Sequence, residues 1–302
     1  MESKECIICR EIKNKNLFSE EHIIPDSLGG TIKILEVCKK CNEEMGKKLD
    51  YHLTDFILNR IYRKKYKISG KTGKIPEIIK NHTYDSKGRK IEIKTDENNN
   101  FKLIQSPLKE FQDDNRLQML FQDGDNKREK IVEGFREKAK AKGKEIEVKL
   151  TEVLEPPEKY NFKEEINLTA IKMEFFKIAH EFLCYYDEDY RDSKDFLRNS
   201  SLIHEYIQKE EKIDWIENNI KFPLVDKDKE IFYEVELLFK YIGKEIKESS
   251  HIIFYSQKAV FLRIGNTLAL IHNFYNKNNS TNATIIVAQN PKEKAVLFSF
   301  LQ

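Results

Sequence analysis

The sequence has no apolar run of about 18 residues, the length that a membrane-spanning helix needs, so no membrane partner is expected. It also lacks, at its start, the basic-then-apolar pattern of a secretory signal. Hydrophobic residues make up 39% and charged residues 34% of its 302 positions, which is typical of a water-soluble globular protein. We therefore expect a cytoplasmic chain that is long enough to bury one or two hydrophobic cores.

Net charge is also small, because 53 Lys and Arg residues offset 51 Asp and Glu residues and leave +2. Composition alone therefore does not mark a nucleic-acid-binding protein. The charge is uneven, however: residues 1–74 carry 16 basic against 11 acidic side chains, and the remainder carries 37 against 40. This asymmetry favours contact with a phosphate backbone near the N-terminal part, although many solvated surfaces have the same balance.

Cysteine is scarce, with five residues, of which four lie in the first 41 positions. In a chain without a secretory signal this pattern favours a metal site over disulfides. Cys6-x2-Cys9 and Cys38-x2-Cys41 can each present two thiolates to one tetrahedral ion. Zinc held by four thiolates has no open position for a substrate, so we predict a structural Zn²⁺. The fifth, Cys184, is predicted to be a buried core thiol.

Apolar residues recur with helical spacing in some segments and with strand spacing in others, and the sequence contains no internal repeat. The predicted fold class is therefore α+β. We predict a small zinc-stapled domain over 1–60, a mixed β/α region over 61–155, and a helical then β-hairpin domain over 156–302. The Pro156-Pro157 pair marks the last boundary, since a residue before proline is disfavoured in a helix.

Within these regions the periodicity predicts several elements. One helix is expected over LDYHLTDFILNRIYRKKY (49–66), and a second over 127–142 that ends before Gly143. A strongly amphipathic helix is expected over NLTAIKMEFFKIAHEFLCYY (167–186). Alternating segments predict hairpins that turn at DENNN (96–100) and at NPKEK (290–294).

The segment between the two cysteine pairs contains SEEHIIPDSLGGTIKILEV, and an asparagine follows the last cysteine. This order of motifs resembles the HNH (ββα-metal) endonuclease family, in particular its cysteine-stapled branch. The resemblance covers about a sixth of the chain. It is carried by Cys6, Cys9, Glu21, His22, Ile23, Pro25, Gly29, Gly30, Cys38, Cys41 and Asn42.

The resemblance implies a small ββα-metal domain with a phosphodiester-cleaving site. It implies that His22 is the general base and that Glu21 and Asn42 hold one catalytic divalent ion. The residue types suit these roles, because histidine has an unperturbed pKa near 6.5 and is a suitable base around neutral pH. Carboxylate and amide oxygens are hard ligands, which favour Mg²⁺ or Mn²⁺.

Three positions depart from the family pattern. Many members have Asp where this chain has Glu21, and the position of Asn42 is often His. The middle Asn of the motif has no clear equivalent in TIKILEV, so the backbone or another side chain is expected to orient His22. Asn42 is also suited to capping a helix, and Asp50 is interpreted as a solvated helix residue.

A basic stretch with interleaved tyrosines follows the nuclease-like segment. Two interpretations are equally weighted: a clamp for the phosphate backbone, or an ordinary solvated helix face. The stretch consists of Arg60, Tyr62, Arg63, Lys64, Lys65, Tyr66 and Lys67.

The leading hypothesis is a metal-dependent DNA endonuclease that acts on double-stranded DNA, similar to bacterial restriction and phage-defence nucleases. A two-fold dimer would let one site address each strand. The region 75–302 is expected to serve recognition, dimerisation or response to a regulatory protein or small-molecule activator. One alternative is a zinc-stapled nucleic-acid-binding or regulatory protein without cleavage, and another is a nuclease that cuts RNA.

Overall fold

The structure is a computed structural model of the chain. It describes residues 2–70, 73–80, 83–84, 90–95, 101–105, 107–113, 116–121, 128–143, 145, 147–153, 164–222, 247, 249–256, 259–276, 283–289, 291, 293–294 and 296–301. Pro156-Pro157 and the DENNN turn lie outside these residues, as do Asn290 and Lys292 of the second predicted turn. No helix in the described ranges combines the length and apolar content that crossing a membrane requires.

Contacts divide the chain into two compact units. The first joins residues 1–76 to residues 166–302, and the second consists of residues 77–165. The N-terminal segment and the C-terminal region therefore share one unit, although they are far apart in sequence. This grouping differs from the three predicted regions, whose boundaries at residues 60 and 155 stay a prediction.

The N-terminal segment of the first unit has two small hairpins followed by a helix. Strand β1 (Ser3–Glu5) pairs antiparallel with β2 (Ile12–Asn14), and β3 (Phe18–His22) pairs antiparallel with β4 (Lys33–Cys38). Helix α1 (Lys39–Met45) follows β4 directly, which gives a ββα arrangement. The mixed helix and strand content agrees with the predicted α+β class.

The helix predicted over 49–66 is interrupted. A π-helical stretch (Gly46–Asp50) leads into α2 (Tyr51–Asp55), and α3 (Ile57–Lys65) begins after Phe56, whose ψ of 136° is extended. The expectation of one continuous helix was wrong. The break is stabilised by the buried Asn59, whose Nδ2 donates to the Leu53 carbonyl at 2.9 Å. The same carbonyl also accepts a longer bond, at 3.4 Å, from the Phe56 amide at the end of α2, so the Asn59 side chain strengthens this helix end.

The C-terminal part of the first unit has a buried helix beside a sheet. Helix α5 (Leu168–Tyr186) begins at Asn167, whose side chain accepts from the Ala170 amide at 3.0 Å. It is buried without interruption from Ala170 to Cys184, which places it inside the main core. Helices α6 (Lys194–Lys209) and α7 (Asp214–Asn219) follow. The predicted burial of the Cys184 thiol is confirmed.

A six-stranded antiparallel sheet completes this unit, in the order β11-β14-β13-β12-β15-β16. The C-terminal hairpin predicted from alternation on either side of residues 290–294 is confirmed as the pair β15–β16. The strands are β11 (Ile220–Lys221), β12 (His251–Ser256), β13 (Ala259–Ile264), β14 (Thr267–Ile271), β15 (Ala283–Gln289) and β16 (Val296–Leu301).

Among the residues of the second unit that the structure describes are two three-stranded sheets and one helix. Helix α4 (Arg128–Lys140) connects β9 to the parallel strand β10 and buries Val132 and Ala139, as its periodicity predicts. Gly143, at a φ of 68°, follows the end of this helix. The strands are β5 (Thr83–Tyr84), β6 (Lys90–Thr95), β7 (Phe101–Gln105), β8 (Leu108–Asp113), β9 (Arg116–Phe121) and β10 (Glu147–Val153).

The Gly29-Gly30 turn between β3 and β4 is held by the C-terminal sheet. His251 Nε2 donates to the Leu28 carbonyl at 2.9 Å, and Gln289 Nε2 donates to the Gly29 carbonyl at 3.0 Å. Gly29 has a φ of 94°, which favours glycine. A Cβ atom at Gly30 would lie 1.8 Å from the Ile24 carbonyl oxygen, so no side chain fits there.

We predict that Gly30→Ala lowers the free energy of unfolding of the first unit by about 1–3 kcal/mol, because the backbone of Ile24 must move to admit the methyl group. Gly46→Ala is the matched control, since Gly46 is helical and nothing lies within 4 Å of its Cβ position. It should be neutral or stabilising by about 0.5–1 kcal/mol. Calorimetric unfolding of both variants measures the difference, and equal melting curves would contradict the close packing at residue 30.

Candidate functional site

The four N-terminal cysteines converge on one point. Cys6 and Cys9 lie in the loop between β1 and β2, Cys38 ends β4, and Cys41 lies in the first turns of α1. Their four Sγ atoms are all within 4.8 Å of one another, with Cys9 and Cys38 at 4.0 Å. Four thiolates around one tetrahedral zinc ion, at Zn–S distances of about 2.3 Å, require spacings of this kind.

Local backbone and charge support thiolates at this point. Arg10 adopts a left-handed φ of 63°, and its amide donates to the Cys6 carbonyl at 2.9 Å, which closes the first knuckle. The Cys38 amide donates to Cys6 Sγ at 3.4 Å, and Lys13 Nζ lies 3.2 Å from Cys38 Sγ. A hydrogen bond between the Cys6 and Cys41 side chains lowers the pKa of Cys6 and raises the pKa of Cys41, so in the absence of an ion the two thiols share one proton. The cluster could therefore hold a structural zinc ion.

The Glu21-His22 pair lies at the end of β3. Glu21 is opposite Ile34 of β4 and His22 is opposite Lys33, after a register irregularity between Ser19 and Glu21. Successive side chains of a strand point to opposite faces, so the two residues are directed apart. Glu21 is buried and His22 is half-buried. The strand end thus carries a half-buried imidazole and, on the other face, a buried carboxylate.

Asn42 ties α1 to the same strand. Its Nδ2 donates to the backbone carbonyl of Glu20 at 2.9 Å. Asn42 lies inside α1, whose N-cap position is Cys38, so it does not cap that helix. Because the amide nitrogen is committed to β3, the amide oxygen is the atom with which Asn42 could bind a cation.

A lysine that the sequence interpretation missed reaches this strand end from α5. The Lys177 ammonium is fully buried and lies 2.5 Å from Glu21 Oε1. It also donates to the His22 carbonyl and to Asp50 Oδ1, both at 3.4 Å. Glu181 and Glu174, on the same helix, lie 3.3 and 3.7 Å from it. We call Lys177 with Glu21, Asp50, Glu174 and Glu181 the Lys177 cluster.

The charges of the Lys177 cluster do not balance, since one ammonium faces four carboxyl groups. Burial raises the pKa of Glu174 and of Glu181 well above the ordinary range, which favours their neutral forms. Burial lowers the pKa of Lys177, but the surrounding carboxylates, Asp50 first, raise it by more, so the side chain stays charged. Asp50 is only partly exposed and contacts Lys177, so its interpretation as a solvated helix residue was wrong.

The basic stretch after the nuclease-like segment is not an exposed clamp along its whole length. Arg60 and Arg63 are buried, and Arg60 Nη1 donates to the Asp55 carbonyl at 2.6 Å. Tyr62 is also buried, and its hydroxyl donates to the Ser249 carbonyl at 2.6 Å. These side chains join parts of the fold instead of facing solvent. Lys65 and Lys67 are exposed.

Two fully buried histidines have structural partners. His180 contacts the Tyr190 hydroxyl through Nδ1 at 2.8 Å and the Ile7 carbonyl through Nε2 at 3.1 Å. His251 accepts from the Gly265 amide at 2.9 Å while Nε2 bonds the turn described above. Burial lowers the pKa of each to about 4, so both are neutral supports of the backbone.

Comparisons with known proteins identify the N-terminal segment alone. Residues 6–58 match the family model described as HNH endonuclease. No curated protein and no solved structure matches the chain. The matched residues include the two cysteine pairs, the β3–β4 hairpin and α1. Residues 6–58 therefore form a domain of the HNH endonuclease family, with a four-cysteine cluster beside its ββα unit.

Proposed function

We propose that this protein is a metal-dependent endonuclease that hydrolyses phosphodiester bonds of double-stranded DNA. The observation that carries the proposal is the half-buried His22 at the end of β3, next to Glu21, inside the segment that matches the HNH endonuclease model. A binding module has no need of an imidazole and a carboxylate at one strand end. HNH domains act on nucleic acids, which supports a polynucleotide as the substrate.

His22 is proposed as the general base. A half-buried imidazole at a strand end can reach a water molecule in solvent and take its proton as that water attacks phosphorus. The hydrogen bond from Lys177 to the His22 carbonyl fixes the backbone from which the ring projects. The middle Asn of the motif has no clear equivalent in this chain, and Lys177 is proposed to take over part of its role in orienting His22.

Glu21 and Asn42 are proposed as the protein ligands of one Mg²⁺ or Mn²⁺. The donor set fits a hard divalent cation, because it offers a carboxylate and an amide oxygen on two elements joined at the Glu20 carbonyl. A carboxylate can accept from more than one cation, so the contact of Glu21 with Lys177 is compatible with this role. The bound ion would supply charge stabilisation at the phosphate and the departing 3′ oxygen.

The DNA substrate and a restriction or phage-defence role are further parts of the proposal. The basic balance of residues 1–74 and the exposed Lys65 and Lys67 support binding of a phosphate backbone beside the site. Residues 77–165 form a compact unit of their own, which is suited to target recognition or to binding a regulatory protein or small-molecule activator. A homodimer would bring one site to each strand of a duplex.

The proposal predicts that purified protein nicks or linearises plasmid DNA with Mg²⁺ or Mn²⁺ and is inactive in EDTA. His22→Ala should lower the rate by about 10²–10⁴-fold, because the general base is lost. His204→Ala is the matched control, since His204 is half-buried on α6 and is not one of residues 6–58. Cleavage that survives His22→Ala would refute the mechanism.

A parallel assay with labelled RNA separates the two nucleic-acid substrates. DNA should be cleaved at least tenfold faster than single- or double-stranded RNA of the same sequence under identical metal conditions. The reverse preference would assign the site to RNA. Binding of either polymer without cleavage under any divalent metal would favour a zinc-stapled binding module.

The four-cysteine cluster is proposed to hold Zn²⁺ that stabilises the fold and takes no part in catalysis. Elemental analysis should find one zinc per chain, and Cys41→Ser should lose it and lower the melting temperature, because metal binding here is linked to folding. Cys184→Ala is the matched control, a buried cysteine outside the cluster, and should keep its zinc. Wild-type protein without bound zinc would contradict the assignment.

A further inference from the structure

We propose that Lys177 is a positioning residue of the nuclease site, which fixes the Glu21-His22 strand end from a helix outside the HNH segment. Its ammonium contacts the side chain of the first residue of the pair and the backbone carbonyl of the second. The inference rests on the proposed function, because it assigns Lys177 a task in the same reaction.

The contacts of Lys177 are directed at the site. The shortest is the 2.5 Å ion pair with Glu21, whereas the acids of its own helix, Glu181 and Glu174, lie at 3.3 and 3.7 Å. The ammonium donates hydrogen bonds to the His22 carbonyl and to Asp50, both of which belong to the segment that matches the HNH model. The ammonium therefore lies closer to Glu21 of the strand end than to either acid of its own helix.

The energetics of the Lys177 cluster argue against a purely stabilising role. A buried ion pair is often no more stable than apolar side chains of similar volume, because both charges lose their hydration. Most of the buried residues of α5 are apolar, so the charged group Glu174, Lys177 and Glu181 departs from the pattern expected of a buried helix. Sequences depart from such local rules mainly at functional sites. The presence of a lysine at position 177 is thus explained by its contacts with Glu21 and with the His22 carbonyl.

The task of Lys177 is to hold the Glu21 carboxylate in one orientation and to immobilise the peptide of His22. Groups that orient metal ligands in this way typically change metal affinity or activity by about 10–100-fold when removed. Lys177 would not touch the substrate or exchange a proton with it, so it is not a catalytic residue. Its role is exerted through Glu21 and His22.

A competing role for Lys177 is to provide a polar contact for the buried carboxyl groups of its own helix, Glu174 and Glu181. Glu174 and Glu181 are fully buried, so loss of the ammonium could destabilise the protein without any link to the nuclease site. Replacing both acids by glutamine removes that requirement. The comparison is therefore made in an E174Q/E181Q background, to which Lys177→Met is added.

The experiment measures three quantities for the E174Q/E181Q protein and for the same protein with Lys177→Met. These are the melting temperature, the Mn²⁺ affinity from the electron paramagnetic resonance signal of free Mn²⁺, and the kcat and KM for plasmid cleavage. Lys172→Met is the matched control, since Lys172 is a buried lysine of the same helix that pairs with Glu217 at 2.8 Å. It lies one and a half turns from Lys177, and its partner lies outside the matched segment.

We expect Lys177→Met to weaken Mn²⁺ binding and to lower kcat by about 10–100-fold each in this background, with KM for DNA changed by less than twofold. The melting temperature should stay within a few degrees of the background protein. Lys172→Met should leave Mn²⁺ affinity and kcat unchanged. If the methionine variant does not fold, Lys177→Gln, which loses the charge but keeps an N–H donor, is measured in its place, and smaller losses of Mn²⁺ affinity and kcat in the same direction are expected.

Equal Mn²⁺ affinity and equal kcat in the background protein and its Lys177 variant would overturn the positioning role. In that case the wild-type enzyme would still bind Mn²⁺ and cleave DNA, so the proposed function would stand. A wild-type protein that neither binds Mn²⁺ nor cleaves would overturn both. Loss of melting temperature alone, with metal affinity and kcat retained, would assign Lys177 to stability and overturn the inference.

Discussion

The buried ammonium of Lys177 needs the carboxyl groups around it, and these groups come from two distant parts of the chain. The position of α5 against the N-terminal segment depends on this contact. A lone ammonium at this depth would cost several kcal/mol, so Lys177 requires the carboxyl groups around it. Lys177 comes from α5, whereas Glu21 and Asp50 come from the N-terminal segment. The contact therefore requires α5 to lie against the strand end, and it makes a helix remote in sequence part of the wall of the proposed site.

Other buried hydrogen bonds also join the HNH domain to the C-terminal region. His251 and Gln289 of the C-terminal sheet bond the carbonyls of Leu28 and Gly29, and His180 of α5 contacts the Ile7 carbonyl beside the first cysteine pair. In each case a buried polar side chain satisfies a backbone carbonyl of the N-terminal segment, which removes an unpaired group from the interior. The HNH domain is accordingly a portion of a larger core and not an appended head, although its motif occupies only residues 6–58.

The sequence predicted those features that depend on residues close together in the chain. The spacing of the two cysteine pairs predicted their convergence, and the periodicity of α4 and α5 predicted both helices, because these signals are local. The break at Phe56 was missed, since the Asn59 side chain that stabilises it also accepts from Thr267, 208 residues away. The burial of Tyr62 was missed for the same reason, because its hydroxyl donates to the carbonyl of Ser249, 187 residues away. A signal for Lys177 existed in the spacing of Glu174, Lys177 and Glu181, which places three charged residues on one face of an otherwise apolar segment. It did not identify the partner, because no local pattern connects position 177 to position 21.

The two ends of the β3–β4 hairpin are stabilised in different ways, one beside the four-cysteine cluster and the other by Lys177. At one end Phe18 is opposite Cys38, a member of the four-cysteine cluster, and at the other end His22 is opposite Lys33, beside the Lys177 contact. A two-stranded hairpin is at best marginally stable in water, and a short segment cannot bury enough apolar surface to fix its ends. An ion held by local cysteines can fix the first end without other parts of the chain. In the proposed function the second end has to leave room for substrate and a divalent ion, so it cannot be closed by another thiolate site. An ammonium that approaches from the interior supports the strand from behind and leaves its outer side open.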